Sequence, residues 1–319
     1  MSLSAYLSLS AAVSTMSVWY IAAAPALYCT AVAAGICMEI WSLCFFIKAV
    51  WDSDGERQST CMGVLGSLFG ALAFGCRPTI ALANILAVPI FIRYVKGKQF
   101  NLKLLKQILA VFTPYIVIGS FLMVYNYVRF EDPFEFGLSF LLTNTDMRQI
   151  ASSIHLTTLI KRLLHHFVKV ARLNQEFPYI SHQSVLLNFP VCLIAACCLL
   201  QKDTLSALKK NGLMGLTGVL LFLPILIIAL QIVSAPYLYE RYRLDVYWLM
   251  GILVFLLFGH FLETLSGKRK IICGFIISLL AFVTIFRCFL LWTVPCDGNF
   301  TALFPEYLYK FEKVLRFGL

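Results

Sequence analysis

Long apolar runs separated by short polar joints set the rhythm of this chain. Stretches at 3–24, 26–50, 62–75, 80–95, 105–127, 185–200, 213–233, 244–262 and 271–292 carry almost no charge. Most approach or exceed the roughly 20 residues that a helix needs to cross a hydrocarbon core about 30 Å thick. Two of the shorter runs, 62–75 and 80–95, meet at Arg77-Pro78. Proline withholds the amide that a helical ladder requires and disfavours helix in the residue before it, so this pair reads as a hairpin turning there. The pattern predicts an all-α, polytopic transmembrane bundle of eight or nine spans.

Between 128 and 184 the pattern changes. Ile150, Ile154, Leu159, Leu163, Leu164, Phe167 and Ala171 recur at helical spacing, while Lys161, Arg162, His165, Lys169 and Arg172 fill other positions. This predicts a basic amphipathic helix lying in the interface plane, either as a cover for the bundle or as a holder of an anionic lipid head group. No internal repeat and no Gly/Ser-rich linker divides the chain. It therefore reads as one transmembrane domain over 1–319, with N-terminal spans at 1–127, an outer segment at 128–184, and C-terminal spans and tail at 185–319.

Composition strengthens the membrane reading. The 319 residues are 60% hydrophobic and 13% charged, against about 25% charged in soluble domains. A net charge of +10 raises the question of nucleic acid, but the cations are spread over short loops. Arg93, Lys96, Lys98, Lys103 and Lys106 fall in one, Lys202, Lys209 and Lys210 in another, and Lys268-Arg269-Lys270 in a third. Such loops are cytoplasmic by the positive-inside rule, and no nucleic-acid partner is expected. Counting spans from them puts the Arg77-Pro78 turn, the 129–183 segment, the 234–243 loop and the C-terminal tail together on the opposite face. Most of the eleven cysteines lie inside apolar runs and no Cys-x-x-Cys occurs, so they read as small core residues, with no metal or redox role.

Candidate chemistry gathers in three outer segments and one buried position. The exit Tyr125–Gly137 places Arg129, Glu131, Asp132 and Glu135 within seven residues, interleaved with aromatics and preceded by Asn126. Paired carboxylates can do general acid or base work or hold a divalent cation; a solvated turn begun by Asp132-Pro133 is the alternative. The loop Ser234–Asp245 carries Tyr237, Glu240, Arg241, Arg243 and Asp245 just before a span. An Arg there suits a lipid phosphate, because its planar fork donates two charge-assisted hydrogen bonds, and Arg241 and Asp245 stand four apart, as pairing on a helix requires. Interfacial anchoring is the plainer use. Arg77 is flanked by apolar sequence, and Glu39 is the carboxylate expected near mid-membrane, each a functional candidate by its cost in lipid. The five histidines are not at metal-ligand spacing, and no phosphate-loop, nucleophile-elbow or zinc-protease motif is present.

Arg77-Pro78-Thr79, the Asn126-Tyr127-x-Arg129-Phe130-x-Asp132-Pro133 exit, and Glu240-Arg241-Tyr242 with Asp245, in this order, resemble the GT-C superfamily of membrane glycosyltransferases. The likeness is to bacterial members similar to protein mannosyltransferases and lipopolysaccharide-core sugar transferases. It implies an inverting enzyme of the bacterial plasma membrane, with an extracytoplasmic active face. A sugar would pass from a polyprenyl-phosphate donor to a glycan, lipid or protein acceptor. Arg241, Arg243 and Arg77 would bind the donor phosphate, supported by Glu240, Asp245, Arg129, Asn126, Tyr237 and Glu39. The family's base is an acid in the first outer loop, yet residues 1–24 carry no acid. The resemblance therefore covers the later part of the family's architecture. Either one or two spans precede this sequence, the preferred expectation, or the base is Asp132 or Glu131. A transporter or lipid flippase and a catalytically dead remnant are the competing readings.

Overall fold

The computed structural model describes residues 2–23, 27–96, 100–137, 140, 154–170, 172, 175, 177–234, 238, 240–294 and 303–315. Among them every regular element is helical. Eight helices are long and apolar enough to cross a membrane, or nine if one bent pair counts as a single span, so the chain is a multi-pass membrane protein. The elements are α1 (Leu3–Ala23), α2 (Leu27–Trp51), α3 (Glu56–Cys76), α4 (Pro78–Val95), α5 (Leu102–Phe130), α6 (Leu156–Val168), α7 (Pro190–Leu200), α8 (Lys202–Lys210), α9 (Met214–Ser234), α10 (Glu240–Thr264), α11 (Gly267–Thr293) and α12 (Pro305–Leu315).

Local chemistry explains the boundaries. Pro78 opens α4 at the first-turn position where a missing amide costs nothing. The middle of α4, Leu82–Leu86, tightens to a 3-10 helix; Pro89, lacking an N–H, cannot bond the carbonyl four residues back. Asn101 caps α5, its Oδ1 accepting from the Leu104 amide at 2.8 Å. Several helices begin earlier than the apolar runs, α3 by six residues, because a polar first turn still forms helix. Pro190 keeps Phe189 out of helical backbone (φ −130°, ψ 79°) and separates the single turn Val185–Asn188 from α7. α7 and α8 then meet at an 86° bend. The amphipathic helix appears as α6; Ile150 and Ala171 of its predicted extent lie outside the described residues.

The described chain forms two compact units, one comprising Met1–Thr30, Leu156–Ala229 and Leu238–Leu319, the other Ala31–His155 and Leu230–Tyr237. In the first unit α10 is the core helix. From Leu244 to Leu262 most of its side chains are buried against α1, α7, α8 and α11. Gly251 lets α1 come close: a Cβ there would lie 2.7 Å from Val13 Cγ1. α12 packs Phe311 against Phe289 and Trp292 of α11.

The second unit is organised by small residues on α3, as close packing in lipid requires. Gly63 faces Val111, Gly66 faces Phe46, and Gly70 faces Asn84, Tyr115 and Ser42. Ser42 Oγ donates to Gly66 O at 2.8 Å across the α2–α3 contact. Ile116, Val117, Phe121, Val124 and Val128 of α5 stay exposed, a face suited to hydrocarbon.

Candidate functional site

The densest polar chemistry lies at one end of the first unit, where α10 begins, α11 ends, and the segment before α7 folds over both. Asn188 organises it. Fully buried, Asn188 accepts the Gln183 amide on Oδ1 at 2.7 Å and donates Nδ2 to the Tyr247 hydroxyl at 2.9 Å. Its backbone carbonyl accepts from Arg287 Nε at 2.6 Å. Arg243 donates Nη1 to the Gln183 carbonyl at 2.6 Å and makes an ion pair with Glu240. The two charged side chains are only 12% and 13% exposed, so each charge depends on the other. Asp245 is buried, its backbone carbonyl accepting Trp248 Nε1 at 3.0 Å. Arg241 lays its guanidinium over the Tyr242 ring, 5.2 Å from the centroid.

Two histidines complete the cluster. His182 stacks on Trp19 of α1, centroids 5.5 Å apart and planes at 27°. Burial, and then the Arg243 charge, push its imidazole down to about 4. His166 on α6 is pushed down to about 4 as well, by burial first and then by Arg243, His165 and Arg162. His165 moves the same way through burial, Lys169 and Arg243. α6 thus sets a basic, histidine-bearing face beside Arg243.

The opposite face of α6 roofs an apolar cavity of about 510 Å³, in which Leu163 and Phe167 of α6 face Leu193 and Ala196 of α7, Pro224 of α9 and Met250 of α10. Leu186 also lines it and lies between Gln183 and Asn188 in sequence, while Met250 is one turn beyond Tyr247. A groove for an apolar chain therefore adjoins the cationic cluster through the same elements.

The predicted residues divide between the units. Glu240, Arg241, Arg243 and Asp245 stand together at the start of α10; Tyr237 lies outside the described residues. Arg77, Asn126, Arg129, Glu131, Asp132 and Glu39 belong to the second unit. There, Arg77 ends α3 and donates Nε to Thr79 Oγ1 at 3.1 Å. At the α5 exit Glu131 takes a left-handed conformation (φ 59°), Asp132 Oδ1 accepts the Phe134 amide at 2.8 Å, and Asn126 Nδ2 donates to Pro133 O at 3.3 Å. Arg129 reaches the Tyr125 hydroxyl at 3.4 Å and covers Phe130. These bonds build a turn; the Asp132 and Glu131 side chains are exposed. Glu39 is 1% exposed and accepts Asn84 Nδ2 at 2.7 Å. Asn84 sits in the 3-10 stretch of α4, donates also to Gly70 O at 3.0 Å, and accepts from the Tyr115 hydroxyl. Among the described residues no three His, Cys, Asp or Glu side chains group so as to hold a metal ion.

Arg287, His166, His182 and Asn188 carry the first unit's cluster and were not singled out from the sequence. For Arg287 the signal was present: a lone cation inside an apolar run. His182 had none, since its ring is defined by α1, more than 150 residues away in the chain. No family model matches this chain, and no curated protein and no solved structure matches it.

Proposed function

We propose that this protein is a membrane glycosyltransferase of the GT-C kind, which takes a polyprenyl-phosphate-linked sugar into the first unit and passes the sugar to a glycan, lipid or protein acceptor. One observation carries the reading: the apolar groove under α6 and the Arg243–Glu240–Arg287 cluster are built from the same elements, with Leu186 of the groove set between Gln183 and Asn188 of the cluster, a layout suited to a ligand with a long chain and an anionic head. Arg243, held in place by Glu240 and the Gln183 carbonyl, would face the phosphate, with Arg241 beside it. As the sugar leaves, negative charge builds on that phosphate, and a fixed guanidinium lowers the barrier there. Arg287 positions the Asn188 turn. Following the resemblance, the active face is the extracytoplasmic side of a bacterial plasma membrane.

Transfer of a labelled sugar from a short-chain polyprenyl phosphate in vesicles tests this. Arg243→Gln and Arg241→Ala are expected to cut transfer by about a hundredfold or more while both variants still insert. Wild-type rates in both would sink the assignment. A flippase or transporter is the second reading, favoured by the buried Glu39–Asn84–Tyr115 network at the 3-10 break of α4, since broken helices and buried carboxylates mark such pathways. Lipid flipping without sugar transfer, abolished by Glu39→Gln, would establish it instead.

A further inference from the structure

Several polar atoms of the first unit's cluster are shielded from solvent and make no hydrogen bond among the described residues. They are Nδ1 and Nε2 of His182, Nδ1 of His166, Nε of Arg243 and Oε2 of Glu240. They come from three elements: α6, the segment before Val185, and α10. Buried polar groups are nearly always satisfied, so a concentration of orphans marks an occupant that brings its own hydrogen-bonding atoms. A neutral imidazole always presents one donor and one acceptor. Both are idle on His182, although Trp19 fixes the ring.

The charges around these rings decide what the occupant is. Arg243 faces both histidines, Arg162 and His165 face His166, and Lys169 lies beside His165. Glu240 is already paired with Arg243. A cation would meet net positive charge. An anion with several oxygens would find donors, and its tail would find the groove roofed by the other face of α6.

We propose that His166 and His182 are ligand-contacting groups of this site, and that a phosphate-ester head group enters together with a proton carried onto these imidazoles. This rests on the lipid-phosphate reading given above. Burial, and then the guanidinium of Arg243, hold both imidazoles well below their ordinary range and so neutral near pH 7. An anion seated against Arg243 offsets that field, and the charged imidazole becomes the favoured form, donating from both nitrogens. The coupling is reciprocal: a head group that favours protonation is itself bound more tightly as protons become available. For one proton taken up, affinity rises by up to about tenfold for each unit that pH falls, down to the point where the imidazoles titrate without the head group as well.

The test uses the full chain in phosphatidylcholine nanodiscs with a fluorescent phosphatidylglycerol, a phosphodiester that does not itself titrate between pH 5 and 8. Binding is measured at pH 7.5 and 5.5. Trp19 emission, taken as the difference from Trp19→Phe, is followed in parallel, because a stacked imidazolium quenches indole. Affinity is expected to rise about tenfold or more between the two pH values, and the lipid to raise the pH at which quenching sets in. His166→Gln/His182→Gln is expected to bind at pH 7.5 and to lose the pH slope; if that variant does not fold, the Trp19 signal of the wild type decides. Dimethyl phosphate, which has no chain, is expected to bind far more weakly. Equal affinity would overturn the lipid assignment in favour of free phosphate esters. Binding that occurs and needs Arg243 but is independent of pH, with no shift in Trp19 quenching, overturns the histidine assignment alone. No binding at any pH, or binding untouched by Arg243→Gln, removes the lipid-phosphate reading beneath it.

Discussion

Glu240→Gln removes one charge of a pair whose side chains are 13% and 12% exposed. When one partner of a fully desolvated pair is lost, the other is left uncompensated, at a cost of about 3–5 kcal/mol. Two features of the site lower that figure. Arg243 keeps its bond to the Gln183 carbonyl at 2.6 Å, and a glutamine side chain can still accept from Nη1. The expected loss is therefore about 2–3 kcal/mol. Removing both charges strands neither, so Glu240→Gln/Arg243→Gln should be more stable than the sum of the single losses predicts, with a coupling of about 1.5–3 kcal/mol. Equilibrium unfolding in mixed micelles of a mild detergent and dodecyl sulfate, followed by far-ultraviolet circular dichroism, reads each corner of the cycle. If Glu240→Gln lies within about 0.5 kcal/mol of wild type, or the two changes simply add, the pair is not the keystone of this end of the unit.

Gly70→Ala should lower stability by about 1–3 kcal/mol, because its Cβ would overlap Asn84 Oδ1 and stand 2.6 Å from the Tyr115 hydroxyl; thermal unfolding with Gly75→Ala, whose Cβ meets nothing nearer than 3.7 Å, as the control checks it. Ala196→Trp fills the groove beneath α6 and should weaken lipid binding by tenfold or more with little loss of helix content, and unchanged binding would show that the chain lies elsewhere. Without ligand, stability should depend on His166 and His182. Their folded values near 4 lie below the ordinary 6.5, so between those limits the unfolded chain binds more protons, stability falls as pH drops from 6.5 towards 4, and it levels off on either side. Denaturation midpoints measured from pH 7.5 to 4 should show that slope in wild type and a flatter one in His166→Gln/His182→Gln.

The spans were legible because lipid imposes a coarse rule, about 20 apolar residues with few charges to a crossing; the sequence predicts eight or nine, and among the described residues eight helices meet that rule, or nine if the bent pair is one span. The α6 stripe was legible for a related reason, since Leu163 and Phe167 fall on one face and Arg162 and His165 on another at helical spacing. Of the site, the sequence marked Glu240, Arg241, Arg243 and Asp245 as charges beside a span, and proposed that Arg241 would meet Asp245. Arg243 pairs with Glu240, three residues apart, a contact that helical spacing also allows but that the sequence did not single out.

By itself, the sequence determined that this chain lives in a membrane, where its helices run, and which segments bear charge, because those properties follow from composition along a single strand of chain. Only the tertiary structure decided which charges meet. The His182 ring on Trp19, Arg287 on the Asn188 carbonyl and Asn84 between Glu39 and Tyr115 join residues 31 to 163 positions apart. Helices of nearly uniform apolarity can be turned about their axes at little cost in hydropathy. Their rotation is set by close packing, as at Gly251 against Val13 and Gly70 against Asn84, and that packing determines where each polar side chain points.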